Sequence, residues 1–198
     1  MASGRSRIEV WNSALDVLKE APLNDPGDDD PIAKWLSRNY AQQRDYLLGR
    51  YYWKFAMART EIPAASSAPT WGWSASFAIP PNCLRIVPPT IDGSWNGHPV
   101  LFEEEGGYIL CNIEGAMRLR YVKRVEQEGL FSNDFCEVLS LRLAMAMSHW
   151  MTGKQSMTQQ IRDMYSETFA EVKDAATVQV AAESYYDSDI LDERVNFG

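Results

Sequence analysis

Residues 44–59 read RDYLLGRYYWKFAMAR, a helix that runs into a cluster of aromatics and is followed by a basic return. This stretch decides the fold, because a helical period stops in it and a strand-like one begins after it. Upstream, Asp30 before Pro31 is an N-cap followed by a first-turn proline. The helix predicted from there, about Pro31–Tyr51, places Leu36, Tyr40, Leu47 and Tyr51 on one stripe. Before it, Ile8, Trp11, Leu15 and Leu18 repeat at steps of three and four, which predicts a helix over Ser6–Leu18. The intervening APLNDPGDDDP breaks the helix with prolines and a glycine, and so short a polar link predicts an antiparallel helical hairpin.

Downstream of Trp53, and as far as about Arg124, the runs SFAIP, LRIV, PVLFEE, YILCNI and MRLRYVKRV are short, apolar or alternating, and bounded by Pro, Asn and Gly. They read as strands. EEEGG, between Phe102 and Tyr108, reads as a hairpin turn, since adjacent glycines take the positive φ that tight turns need. From Asn133 the helical period returns in FCEVLSLRLAMAMSHWM, apolar on nearly all sides as a buried helix is, and Thr152 and Gly153 end it. A fourth helix, Lys154 to Ala176 or slightly beyond, carries Met157, Ile161, Tyr165, Thr168 and Val172 on its inward stripe. Residues 183–198 show no clear period and read as an extended tail that folds only against something else.

The predicted class is therefore α+β. A four-helix bundle of two α-hairpins (1–52 and 130–182) carries an inserted small antiparallel β-sheet or sandwich of four to six strands (53–129), then the tail.

Composition narrows the function. The 198 residues carry a net charge of −8, so the surface as a whole repels phosphate, and sequence-independent DNA binding is disfavoured. Cys83, Cys111 and Cys136 form no CxxC pair and predict free, buried thiols in a reducing compartment. Seven Trp, nine Tyr and seven Phe are more large contact area than a core of this size needs, and surplus aromatics collect in interfaces. No signal-peptide or membrane-spanning pattern is present, which predicts a soluble product made in the cytoplasm and no membrane partner.

No chemistry-bearing constellation stands out. His98 and His149 lie far apart in sequence without metal-ligand spacing, and His149 reads as a core or interface residue. The acidic triplets Asp28–Asp30 and Glu103–Glu105 both fall in predicted turns, where charge runs are usually solvated. Phosphate loops and nucleophile elbows are absent. The expectation is no enzyme, no cofactor and no metal. On the strand MRLRYVKRV, Arg118, Arg120 and Val122 share one face, with Lys123 on the other. That face either touches a phosphate backbone or pairs with acidic neighbours.

The series NSALDVLKEAPL, AKWLSRNYAQQRDYLLGRYYWKFAMARTEI and FAIPPNCLRIV resembles the head-to-tail connector proteins of short-tailed bacteriophages, of the tail tubular protein A type. Asn12, Ala14, Leu15, Leu18, Tyr40, Arg44, Asp45, Leu47, Leu48, Trp53, Phe55, Ala56, Arg59, Pro80, Cys83, Leu84 and Arg85 match that family's pattern in order. The helix ending at Thr152 and Gly153 resembles its third helix. Lys19 departs from it, standing where the family often has glycine. The resemblance implies a virion structural protein, a ring of about twelve copies between the portal protein and the tail nozzle, with DNA passing through the channel without specific binding.

It implies, too, a C-terminal segment docked on the portal. Tyr185, Tyr186, Ile190, Leu191 and Phe197 are the candidate anchors there, and Asp187, Asp189, Asp192 and Glu193 select a basic surface. Arg44, Asp45, Trp53, Phe55 and Arg59 are candidates for a structural joint where helices meet sheet. Two other readings stand beside this one. A metal-dependent hydrolase or processing enzyme using an acidic triplet would lose activity on Asp29→Ala, and a DNA-binding regulator would show steep salt dependence.

Overall fold

The computed structural model describes residues 4–195, and the side chains of all of these except Thr152 and 176–195. The elements are α1 (Arg7–Leu18), α2 (Pro31–Leu48), β1 (Met57–Ile62), β2 (Ala75–Ala78), β3 (Cys83–Ile86), β4 (Phe102–Glu105), β5 (Tyr108–Cys111), β6 (Met117–Lys123), α3 (Asn133–Thr152) and α4 (Gln155–Val195). The chain is α+β, and among the described residues it has four α-helices and two antiparallel sheets of three strands each. It divides into two compact units, 4–38 with 132–195, and Asn39–Phe131, so the first division falls inside α2.

In the helical unit, α1 packs on α3 and α3 on α4. Ser6 caps α1 in a capping box: its hydroxyl accepts from the Glu9 N–H, and the Glu9 carboxylate accepts from the Ser6 N–H. These bonds, backbone first, hold the Glu9 carboxyl below the ordinary glutamate value. Trp11, Leu15 and Leu18 of the predicted stripe are buried, joined by Val10 and Ala14, while Ile8 is only half-buried. Asn12 ties the following loop down, its amide donating to the Leu23 carbonyl at 3.0 Å and accepting from the Leu23 N–H at 2.9 Å.

Lys19 closes α1 in the left-handed region at φ +61°, the one non-glycine residue with positive φ among the described residues. Here the departure from the connector pattern has a physical meaning. The position requires a conformation that glycine adopts freely and that costs a β-carbon residue about 1 kcal/mol. Lys19→Gly is therefore expected to raise stability by roughly 0.5–1 kcal/mol, read from the urea midpoint. A destabilised variant would mean that the lysine side chain contributes more than the strain costs.

Ser132 caps α3 by accepting from the Phe135 N–H, and Gly153, at φ +60°, ends it. On α4, Ile161 is buried and Met157, Tyr165, Thr168 and Val172 are half-buried, as the stripe predicts. Between α3 and α4 the Ser148 hydroxyl donates to that of Thr158 at 2.9 Å. Two expectations are corrected here. Residues 183–195 are not an extended tail: α4 continues to Val195, because from Lys154 onward no proline or glycine stops it and alanine and glutamate sustain it. His149 is exposed at the last turn of α3, which removes the core half of the expectation and leaves the interface half.

The strand unit is a small sandwich. One sheet has the order β1-β6-β3 and the other β2-β5-β4. A single core lies between them, with Ile62, Ile86, Met117, Leu119 and Tyr121 from the first sheet against Ala75, Phe77, Ile109 and Cys111 from the second. The alternation in MRLRYVK produces this, since Met117, Leu119 and Tyr121 fall on one face. Burying a side chain such as Phe77 contributes about 1.5–3 kcal/mol.

The β4–β5 hairpin turns on Gly106 and Gly107, at φ +58° and +84°, the two positive values of a type I′ turn. The turn is these two residues alone. Glu103, Glu104 and Glu105 belong to β4, paired with Leu110, Ile109 and Tyr108, and not to the turn that the charge run suggested. β4 is an edge strand, where acidic side chains discourage further strand pairing.

Candidate functional site

The RDYLLGRYYWKFAMAR stretch builds a joint inside the strand unit. α2 ends at Leu48, and Gly49 lies so close to β3 that a β-carbon there would sit 3.2 Å from the Leu84 carbonyl. Trp53 is buried, donates from its indole nitrogen to the Leu47 carbonyl at 3.0 Å, and meets Tyr51 edge-on. Its ring also faces Phe55, which in turn packs on Phe131. Arg85 closes the other side. Its guanidinium donates to the Arg50 carbonyl at 3.0 Å and lies over the Tyr52 ring at 4.5 Å.

Arg44 and Asp45 form the charged part of this joint. Two guanidinium nitrogens of Arg44 each lie 2.8 Å from one carboxylate oxygen of Asp45, while the Arg124 Nε donates to the other at 2.7 Å. Glu126 stands 3.6 Å from Arg44. Arg44 is buried and Arg124 exposed, so one partner of Asp45 depends on it for charge compensation and the other has water. Of the residues expected in the joint, Arg44 thus meets Asp45 and Trp53 meets Phe55, as two separate pairs.

Arg59 is elsewhere. It stands on β1 directly opposite Arg120 of β6, with Glu61 opposite Arg118, on the sheet face away from the core. β1 is not among the runs read as strands, although Ala58, Thr60 and Ile62 alternate with Arg59 and Glu61. The loop between β3 and β4 walls this face: Asp92, Gly93 and Ser94 line a cleft of ≈420 Å³ with the three arginines and Glu61. Arg120 Nε donates to the Gly93 carbonyl at 2.8 Å. Burial first, then the neighbouring Arg59, lowers the Arg120 pKa, and Asp92 opposes this. The sequence placed Arg118 and Arg120 on one face, but the cross-strand and loop partners depend on register and were not visible in it.

No protein-family model matches the chain, and no curated protein matches it.

The acidic loop is committed to its own backbone. One Asp28 carboxylate oxygen accepts from the Asn24 and Asp25 N–H groups, Asp30 caps α2 through the Ile32 N–H at 2.7 Å, and Asp29 pairs with Lys34. In β4, Glu103 accepts from the Trp73 indole. Among the described residues no group of three or more His, Cys, Asp or Glu is placed to hold a metal ion, and no helix is long and apolar enough to cross a membrane. None of the three cysteines is in a disulfide, and Cys111 and Cys136 are buried while Cys83 is half-buried. Burial pushes the thiols of Cys83 and Cys111 up.

Tyr185, Tyr186, Asp187, Asp189, Ile190, Leu191, Asp192 and Glu193 lie on the α4 backbone, with side chains outside those described. Phe197 lies outside the described residues.

Proposed function

We propose that the chain is a head-to-tail connector of a short-tailed bacteriophage, a ring-forming virion protein seated between the portal and the tail nozzle. The observation that carries this reading is a coincidence of pattern and role. Several residues that match the connector series in order have structural roles: Asn12 pins the first loop, Arg44 and Asp45 pair, Trp53 and Phe55 pack together, and Arg85 holds the chain after α2, whereas Arg59, which also matches, lies outside the joint.

In this reading the end of α4 is the portal contact, with Tyr185, Tyr186, Ile190, Leu191 and Phe197 as apolar anchors and Asp187, Asp189, Asp192 and Glu193 fixing orientation on a basic surface. A ring closes through two different complementary faces on each subunit. Exposed Trp71, Ile91, Trp95 and Leu101, all in loops of the strand unit, supply apolar area for a nozzle or neighbour contact. DNA passes through the channel without base-specific contacts, and the net charge of −8 limits sticking.

The test is the mass of the protein alone and mixed with a portal ring of the same phage, using the full chain and a chain ending at 182. Addition of one copy per portal subunit, lost on truncation, is the expected result. A full chain that stays separate from the portal sinks the connector reading. Binding that survives truncation, or survives Tyr185→Ala with Tyr186→Ala, sinks the assignment of the docking residues.

A further inference from the structure

The cleft between β1, β6 and the loop after β3 has no role in the joint or in the proposed portal contact, and its electrostatics are incomplete. Arg59 and Arg120 are direct cross-strand partners, and like charges in that position destabilise a sheet. Arg118 follows on the same face two residues along β6. Neither Arg59 nor Arg118 makes an ion pair within 4 Å among the described residues. The nearby carboxylates do not complete the balance: Glu61 is opposite Arg118 in register without pairing, and Asp92 accepts from the Ser94 N–H at 3.0 Å. In a chain of net charge −8, three guanidinium groups on one small cleft need a reason.

We propose that this cleft binds a phosphate group, gripped between Arg59 and Arg120 with Arg118 at its edge. The wall is fixed in place for this. Gly93, at φ +72°, lies so tightly on β6 that a β-carbon would come within 2.7 Å of the Arg118 Cβ. The Gly93 carbonyl holds Arg120 by its Nε, which orients the guanidinium and leaves its terminal nitrogens for a ligand. Arginine forks match phosphate oxygens bidentately, and a multiply charged oxyanion accepts from more than one arginine at once. A lone carboxylate has one charge and two oxygens, and answers the Arg59–Arg120 repulsion less completely.

Inorganic phosphate titrated into the full chain, in chloride buffer of matched ionic strength, tests this by calorimetry and thermal melting. The parent protein is expected to show saturable binding and a higher melting temperature in phosphate. R59Q is expected to weaken binding at least about tenfold while melting in chloride no lower than the parent, because it removes the like-charge opposition. R118Q, with less of the grip, is expected to weaken binding less. Equal phosphate shifts in parent and R59Q, an absence of saturation, or an R59Q chain that fails to fold in chloride would each overturn the proposal. A short DNA duplex added to the phosphate-loaded protein separates the sources. Displacement assigns the phosphate to a nucleic-acid backbone, and no displacement to free phosphate. None of these readouts involves the portal, so the site stands or falls apart from the connector reading.

Discussion

Trp53→Ala is expected to be among the most damaging single substitutions in the strand unit, lowering stability by about 3–5 kcal/mol. The side chain is 3% exposed, and its removal opens a cavity bordered by Tyr51 and Phe55. Phe55 would then lose the ring that supports its packing on Phe131. The indole N–H to the Leu47 carbonyl contributes a smaller part, since that carbonyl also accepts from the Arg50 N–H at 3.1 Å. Trp53→Phe keeps most of the apolar area and is expected to cost roughly half as much. Urea denaturation followed by circular dichroism separates the two variants. A Trp53→Ala loss under about 1 kcal/mol would show that the ring fills no essential space and that the aromatic run has another purpose.

Local signals carried most of the architecture. Asp30, Pro31 and Gly153 act within a few residues of themselves, and each marks a helix end that the structure shows. Gly106 and Gly107 did the same for one hairpin. α2 ends at Leu48, about a turn before the predicted Tyr51, because aromatic Tyr51 continues the apolar stripe although the chain has already left the helix. β1 is hard to read in the sequence for a related reason: in MARTEI only Ile62 is buried, and Ala58 and Thr60 on the same face are small, so its alternation has little hydrophobic contrast. Charge misled at Glu103–Glu105, where solvent exposure belongs to a sheet edge and not to a loop.

Site residues were legible only where neighbours in sequence were neighbours in space. Arg44 with Asp45 and Trp53 with Phe55 meet that condition. Arg59 opposite Arg120 does not, because antiparallel register brings together residues 61 positions apart in the chain. The loop carrying Asp92 and Gly93 is a third segment that no periodicity connects to the other two.

Asp45→Ala is the second large expected effect, about 3 kcal/mol, and it arises from what is left behind. The Arg44 side chain retains only 5% accessibility, and the carboxylate oxygen that accepts from two of its nitrogens would be gone. Glu126, at 3.6 Å and 72% accessible, is the remaining acidic neighbour. Arg124 also loses its partner, but at 41% accessibility water replaces the bond, so Arg124→Ala alone is expected to cost no more than about 1 kcal/mol. Asp45→Asn preserves an acceptor for the guanidinium and falls between the two. The asymmetry gives the check its force. A double-mutant cycle of Asp45→Ala with Arg44→Met should return much of the loss, because an apolar chain replaces the stranded charge. The cycle with Arg124→Ala should show coupling of under about 1 kcal/mol. Equal losses for Asp45→Ala and Arg124→Ala would mean that Arg44 finds other compensation, and would remove the ion pair from the group of residues on which the joint depends.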